Sequence, residues 1–209
     1  SQWLWLALPD EDEVDRNSVS FCDDDSTCSV SCDEEGWYYF GSNGKMYRDA
    51  SKKKVNGKYY FFNAHGQMLY EWINNQKYSV SSSSNLVSGN AGNGTSYQAP
   101  NKASSSNGIL DDNANYQGSS QIWNMQYSNV VEDGSRANGW YEIDGAADTG
   151  EDGDTDWYYF DDGEPERADA GKDFVTVDGD NEKVFRAKIK INGKYFCFNE
   201  MGQMQTGLQ

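Results

Sequence analysis

The side chains that could do chemistry in this 209-residue chain are unevenly supplied. There is one histidine, His65, and four cysteines, Cys22, Cys28, Cys32 and Cys197. Carboxylates number 34 against 17 Lys and Arg, for a net charge of −17. General acid–base work needs a base within reach of the proton it moves, and glycoside hydrolysis needs two carboxyl groups facing one bond. Nothing in the spacing of the acids picks out such a pair. His65 lies in "NAHGQM", where a second copy of the same stretch carries Met201, so it reads as a turn residue rather than a catalyst. The three crowded cysteines of "FCDDDSTCSVSCDEE" follow no zinc signature and have no neighbouring histidine. If the chain is exported, Cys22 is expected to pair with Cys28 or Cys32, leaving Cys197 reduced as a small apolar filler. "EDGDTD" and "VDGDNE" alternate acids as calcium loops do, yet neither completes the EF-hand spacing. What remains is aromatic: 14 Tyr, 9 Phe and 7 Trp, more rings than the 24 Ile, Leu and Val.

Those rings recur in order, and the order defines the elements that must carry them. "KKKVNGKYYFFNAHGQM" at 52–68 returns as "KIKINGKYFCFNEMGQM" at 188–204, with 11 of 17 positions identical. In each copy two strand-like runs flank Asn-Gly, at Asn56-Gly57 and Asn192-Gly193. Asn-Gly tolerates the positive φ that a type I′ turn demands, so both copies are predicted to be β-hairpins. Upstream of each stands a W-Y-Y-F strand with a Gly-bearing turn, at Trp37 and Trp157. Further upstream come "QWLWL" at 2–6 and "GWYEI" at 139–143. A fainter unit, "MQYSNVVEDGSRANGW", spans 125–140. The expected fold is all-β, a solenoid of short β-hairpin repeats that share a seam of rings because none can build a core alone. Its expected organisation is a hairpin-repeat block at 1–75, a Ser/Asn/Gly-rich insert or linker at 76–121, and a second block at 122–209.

Charge narrows the partners. A pI near 4.3 excludes a nucleic-acid footprint and disfavours an anionic membrane surface. The longest apolar run, "WLWLAL" at 3–8, falls far short of the ~20 residues of a transmembrane helix. No basic start followed by an apolar stretch marks a signal peptide.

"GWYYFGSNGKM" at 36–46 resembles the bacterial cell-wall-binding repeats of choline-binding type, whose pattern is roughly G-W-Y-Y-F-x-x-x-G-x-M. "INGKYF" and "GQMQTG" resemble the related glucan-binding repeats and the carbohydrate-binding tails of large toxins. The resemblance spans roughly residues 34–75 and 122–209. It implies a non-catalytic, secreted module without cofactor on a Gram-positive cell surface. Such a module attaches a larger protein to choline-bearing teichoic acid or another cell-wall polysaccharide. A quaternary ammonium cannot be hydrogen-bonded, so ring faces must hold it by cation–π attraction of about 0.5–2 kcal/mol per contact. The matching positions are Trp37, Tyr39 and Met46, with Met68 and Trp72 following, and in the second block Trp140, Trp157, Tyr159 and Met204. The pattern is broken at Lys58 and Lys194, which stand where a cage would have Trp, at Glu71 and Leu208, and in "DGEPER" after Trp157. Two other readings follow from those departures: rings that stack on glucan-type sugars, or a spacer stalk with no ligand.

Overall fold

The computed structural model describes residues 1–7, 32–75, 78–80, 95–97, 100–103, 125–144, 155–168, 173–177, 183–199 and 201–207. Every regular element among them is a β-strand, and the sheets are small and antiparallel. Cys22, Cys28 and both acidic stretches considered for calcium lie wholly or mostly outside the described residues. The chain divides into two compact units: Ser1–Lys102 with Ser128–Arg136, and Ala103–Tyr127 with Ala137–Gln209.

In the first unit β1 (Gln2–Ala7) pairs with β2 (Glu35–Phe40), setting Trp3 opposite Tyr39 and Trp5 opposite Trp37. A second sheet runs through β3 (Ala50–Val55), β4 (Lys58–Phe62) and β5 (Met68–Leu69). The turn between β3 and β4 has Asn56 at φ 48° and Gly57 at φ 89°, the two left-handed residues that a type I′ turn requires. A bulge between Ala50 and Lys53 breaks the register once. β6 (Glu71–Asn74) pairs with β9 (Asn101–Lys102), and β7 (Tyr78–Val80) pairs with β8 (Thr95–Tyr97). The Ser/Asn/Gly-rich stretch thus contributes three short strands among its described residues.

β10 (Met125–Ser128) is followed by a tight loop that belongs to the first unit. Arg136 donates its backbone N–H to the Tyr59 carbonyl at 2.9 Å, and its Nη2 donates to the Ser51 carbonyl at 2.6 Å. The same guanidinium lies 4.3 Å from the Phe61 ring centre. Lys58 donates to both carboxylate oxygens of Asp133, at 2.9 and 3.1 Å. Burial acts to raise the Asp133 carboxyl, but the hydrogen bonds from Lys58 and Ser135 outweigh it and hold the group below its ordinary value.

The second unit repeats the plan. β11 (Gly139–Asp144) pairs with β12 (Thr155–Asp161), which turns at Asp162-Gly163 (φ 50° and 82°) into β13 (Glu164–Pro165). β14 (Phe174–Val177), β15 (Lys183–Ile191), β16 (Lys194–Phe198) and β17 (Met204–Gln205) form one four-stranded sheet. Asn192 and Gly193 turn at φ 48° and 83°.

The turn that closes each repeat is built identically. Asn63 Oδ1 accepts the backbone N–H of His65 (3.0 Å) and of Gln67 (2.9 Å), and Asn199 Oδ1 accepts those of Met201 and Gln203 at the same distances. The side chain substitutes for a strand partner at the point where the ladder stops, which is why Asn recurs there. Gly66 and Gly202 follow at φ 87° and 84°. A Cβ on Gly66 would stand 2.6 Å from Met46 Cε, so glycine also makes room for the methionine.

Candidate functional site

Each unit centres on one tryptophan wrapped by rings from the following strands. Trp3 meets Tyr39 and Tyr60 edge-on, both at 5.0 Å between ring centres, and stacks on Phe62 at 5.8 Å. Trp140 meets Tyr159 at 5.2 Å and Phe196 at 4.7 Å edge-on, and stacks on Phe198 at 6.0 Å. The two arrangements correspond ring for ring. Strand alternation produces them: Tyr60 and Phe62 share one face of β4, and Phe196 and Phe198 share one face of β16. Edge-to-face geometry suits the ring quadrupoles and adds about 0.5–1.5 kcal/mol per pair beyond the area buried.

The positions expected from the sequence divide by depth. Tyr39 and Met68 are buried in the first cluster with Val55, Tyr60 and Phe62, and Trp37 packs partly buried against it. Tyr47 adds a tilted ring 4.9 Å from Tyr39. Met46 is half-buried and pairs through its backbone with Phe40, its thioether set against Gly66. Trp72 is half-buried on β6, apart from this cluster. In the second unit Trp140 and Trp157 meet at 6.4 Å, Tyr159 is half-buried beside Trp140, and Met204 pairs with Phe198, which stacks on Trp140. Of the expected rings, Trp37 and Tyr39 share one cluster and Trp140, Trp157 and Tyr159 another, while Trp72 stands apart; Tyr39 and Met68 are buried.

Open ring surface lies at the margin of each cluster. Trp5 is 44 % exposed and meets Trp37 edge-on at 5.4 Å. Its indole N–H donates to Glu35 Oε2 at 2.9 Å, placing a carboxylate beside the tryptophan pair. Trp157 is 42 % exposed next to Trp140, and its cross-strand partner is Glu142, which accepts a hydrogen bond from Thr155 at 3.1 Å. Both units thus present two tryptophans and one glutamate. Trp3, Trp5, Glu35 and Glu142 were not among the residues expected from the sequence. A signal for Trp3 existed: "QWLWL" aligns with "GWYEI", which puts Trp3 on Trp140 and Trp5 on Glu142.

Several other rings are already taken by the chain's own cations. Lys53 Nζ lies 4.1 Å from the Tyr47 ring centre, Lys102 lies 5.1 Å from that of Tyr70, and Arg136 covers Phe61. Lys58, which breaks the repeat pattern, is matched by Asp133 rather than left to repel a cation. Lys102 also pairs with Asp33 at 3.1 Å, and Tyr70 donates to the same carboxylate at 2.7 Å. Burial pushes the Tyr38 phenol up to about 12 and raises that of Tyr158 further, so neither ring ionises near neutrality. Cys32 and Cys197 are both free thiols. The Cys32 thiol accepts from Asn63 Nδ2 at 3.3 Å and lies 3.7 Å from His65 Nδ1. Burial raises the Cys32 thiol above its ordinary value and lowers that of His65, so the two are poised as a neutral pair and not as a thiolate nucleophile. Among the described residues no group of three or more His, Cys, Asp or Glu could hold a metal ion.

Comparison with known proteins agrees with the repeat reading. The family of cell wall binding repeats, of choline-binding type, matches at residues 32–46 and 53–68. The two matched segments cover β2 with its turn, and the end of β3 through β4 and the turn to the start of β5. No curated protein matches the chain. Among solved structures it is similar to the modular Cpl-1 endolysin, solved in complex with a peptidoglycan analogue, at 18% sequence identity and a TM-score of 0.30. That match covers 85% of this chain and 36% of the endolysin, so the chain spans about a third of that protein's length.

Proposed function

We propose that this chain is a non-catalytic cell-wall-binding module that attaches a secreted bacterial protein to choline-bearing teichoic acid or a related polymer. The observation that carries the reading is the open tryptophan pair with an adjacent carboxylate, Trp5/Trp37 with Glu35 and Trp140/Trp157 with Glu142. Two ring faces attract a quaternary ammonium through their quadrupoles, the exposed glutamate adds a modest, solvent-screened attraction, and the net charge of −17 raises the local cation concentration. The residues expected from the family pattern then have two roles. Trp37, Trp140 and Trp157 touch the ligand, with Trp5 added to the set. Tyr39, Tyr159, Met46, Met68 and Met204 support those rings from behind, and Trp72 serves a separate hairpin. The proposal keeps hairpin-repeat blocks at 1–75 and 122–209, their hairpins stacked as a solenoid, with the stretch 76–121 as an insert or linker between them.

A site of two rings and one exposed carboxylate binds choline at around millimolar concentration, or about −4 kcal/mol. Firm attachment arises when several such sites engage one polymer, because each further contact is intramolecular. Choline titration followed by tryptophan fluorescence tests this. The expected result is saturation in the millimolar range, weakened several-fold by Trp37→Ala or by Trp157→Ala, each with an unchanged far-ultraviolet spectrum. A chain that ignores choline at tens of millimolar but binds a glucan is a sugar-stacking module, and one that binds neither is a spacer.

A further inference from the structure

The turn that closes the first repeat is wired differently from its counterpart. In the second unit Asn199 Nδ2 donates to Gln203 Oε1 at 2.7 Å, so that turn closes on itself. In the first unit Asn63 Nδ2 donates instead to Cys32 Sγ at 3.3 Å. Gln67 there grips the main chain of Asp33, accepting its N–H at 2.8 Å and donating to its carbonyl at 2.9 Å. Cys32 is thus pinned both through its neighbour's backbone and through its own sulfur. His65, standing where the second repeat has Met201, brings Nδ1 to 3.7 Å from that sulfur. A buried donor lies within electrostatic reach of the pair. Tyr38 is 3 % exposed, its hydroxyl makes no hydrogen bond among the described residues, and a thiolate at Cys32 would push its phenol up. The Asp33 carboxylate is taken by Lys102 and Tyr70.

We infer that Cys32 Sγ and His65 Nδ1 together bind one soft monovalent metal ion, Cu(I), which bridges them. Metal–thiolate and metal–imidazole bonds are about 2.3 and 2.0 Å long, so a gap of 3.7 Å admits one ion between the two atoms at a bond angle of about 120°. Two protein ligands are too few for a structural Zn(II) site, which takes four, whereas a thiolate with an imidazole suits Cu(I). Charge makes the same choice. Cu(I) displaces the thiol proton, which leaves to water, so one positive charge replaces another and the half-buried site stays neutral. A divalent ion would leave a net charge there, at a cost in desolvation. The Asn63 amide already donates to the sulfur, and the Tyr38 hydroxyl supplies a second donor once the sulfur is ionised. Outer hydrogen bonds of that kind orient a metal ligand and tune it. The site is independent of the tryptophan faces, because Tyr38 points to the side of β2 opposite Trp37 and Tyr39.

The test is anaerobic titration of the reduced full chain with Cu(I) against a coloured Cu(I) chelator. The chain is expected to take Cu(I) from the chelator. Cys32→Ser and His65→Gln should each weaken binding by about tenfold or more, with the far-ultraviolet spectrum and the choline response unchanged. Cys197→Ser should bind as the parent does. X-ray absorption of the parent loaded with one equivalent of copper reads the ligands without any substitution, and should show one sulfur and one imidazole nitrogen. Failure of the parent to bind Cu(I), or unchanged affinity in either the Cys32 or the His65 variant, overturns the inference. Copper held by sulfur alone overturns it as well, since the other cysteines would then be the ligands. Tighter binding of Zn(II) than of Cu(I) overturns the choice of a monovalent ion.

Discussion

Trp140→Ala probes the ring cluster on which the second unit is centred. The indole touches Tyr159, Phe196 and Phe198 within 6.0 Å and Trp157 at 6.4 Å, while Phe198 behind it is fully buried. Truncating a large aromatic in a packed site costs about 3–5 kcal/mol through lost transfer energy and the cavity left behind. Three edge-to-face contacts are lost as well, but the indole is only half-buried, which places Trp140 near the middle of that range. Small domains are stable by only about 5–15 kcal/mol, so the variant unit lies close to its unfolding threshold. In urea, with a slope of about 2 kcal/mol per molar, a loss of 4 kcal/mol moves the midpoint by about 2 M. The assay is urea denaturation followed by far-ultraviolet circular dichroism, with Trp157→Ala as the control. Among the described residues Trp157 has one ring contact, and it is 42 % exposed, so its midpoint should move by less than half as much. A shift for Trp140→Ala no larger than that of the control refutes the claim that this indole organises the unit.

Two further outcomes follow from the turns. Gly57 and Gly66 share nearly the same φ, 89° and 87°, but a Cβ on Gly57 meets open space whereas one on Gly66 meets Met46 at 2.6 Å. Gly57→Ala should therefore cost only the left-handed penalty of about 1–2 kcal/mol, and Gly66→Ala should cost measurably more by urea midpoint; equal losses would mean that Met46 is not packed there. His65 titrates below its ordinary 6.5 because burial, and then the Arg48 charge, disfavour the imidazolium. The unfolded chain takes the proton first, so the contribution of His65 to stability is intact above pH 6.5 and is lost as the pH falls through 6.5 towards the folded value. Thermal melts between pH 7.5 and 5 should show that decline, and His65→Met, which installs the residue of the second repeat, should flatten it.

The sequence by itself determined the hairpins and where they turn. Asn56-Gly57 and Asn192-Gly193 adopt the paired positive φ that their identities predict, because a turn is decided by the backbone preferences of adjacent residues. The repeated turns at 63–68 and 199–204 were legible for the same reason: cause and consequence lie within four residues of each other. Alternation did not say which face of β4 turns inward, because Phe61 and Phe62 on opposite faces are both fully buried. Tertiary structure decided which rings keep an open face. Trp37 and Tyr39 are two residues apart on one strand, yet only the packing of Trp3 and Tyr47 buries Tyr39 and leaves the tryptophan edge beside Trp5. It also decided the fate of the residues that break the repeat. Lys58 looks like an intruder until Asp133, 75 positions away, meets it, and Phe61 is covered by an arginine from the same distant loop. Neither partner carries a local mark of the other, since such a pairing depends on how the folded chain brings remote surfaces together, and no short stretch of sequence encodes that.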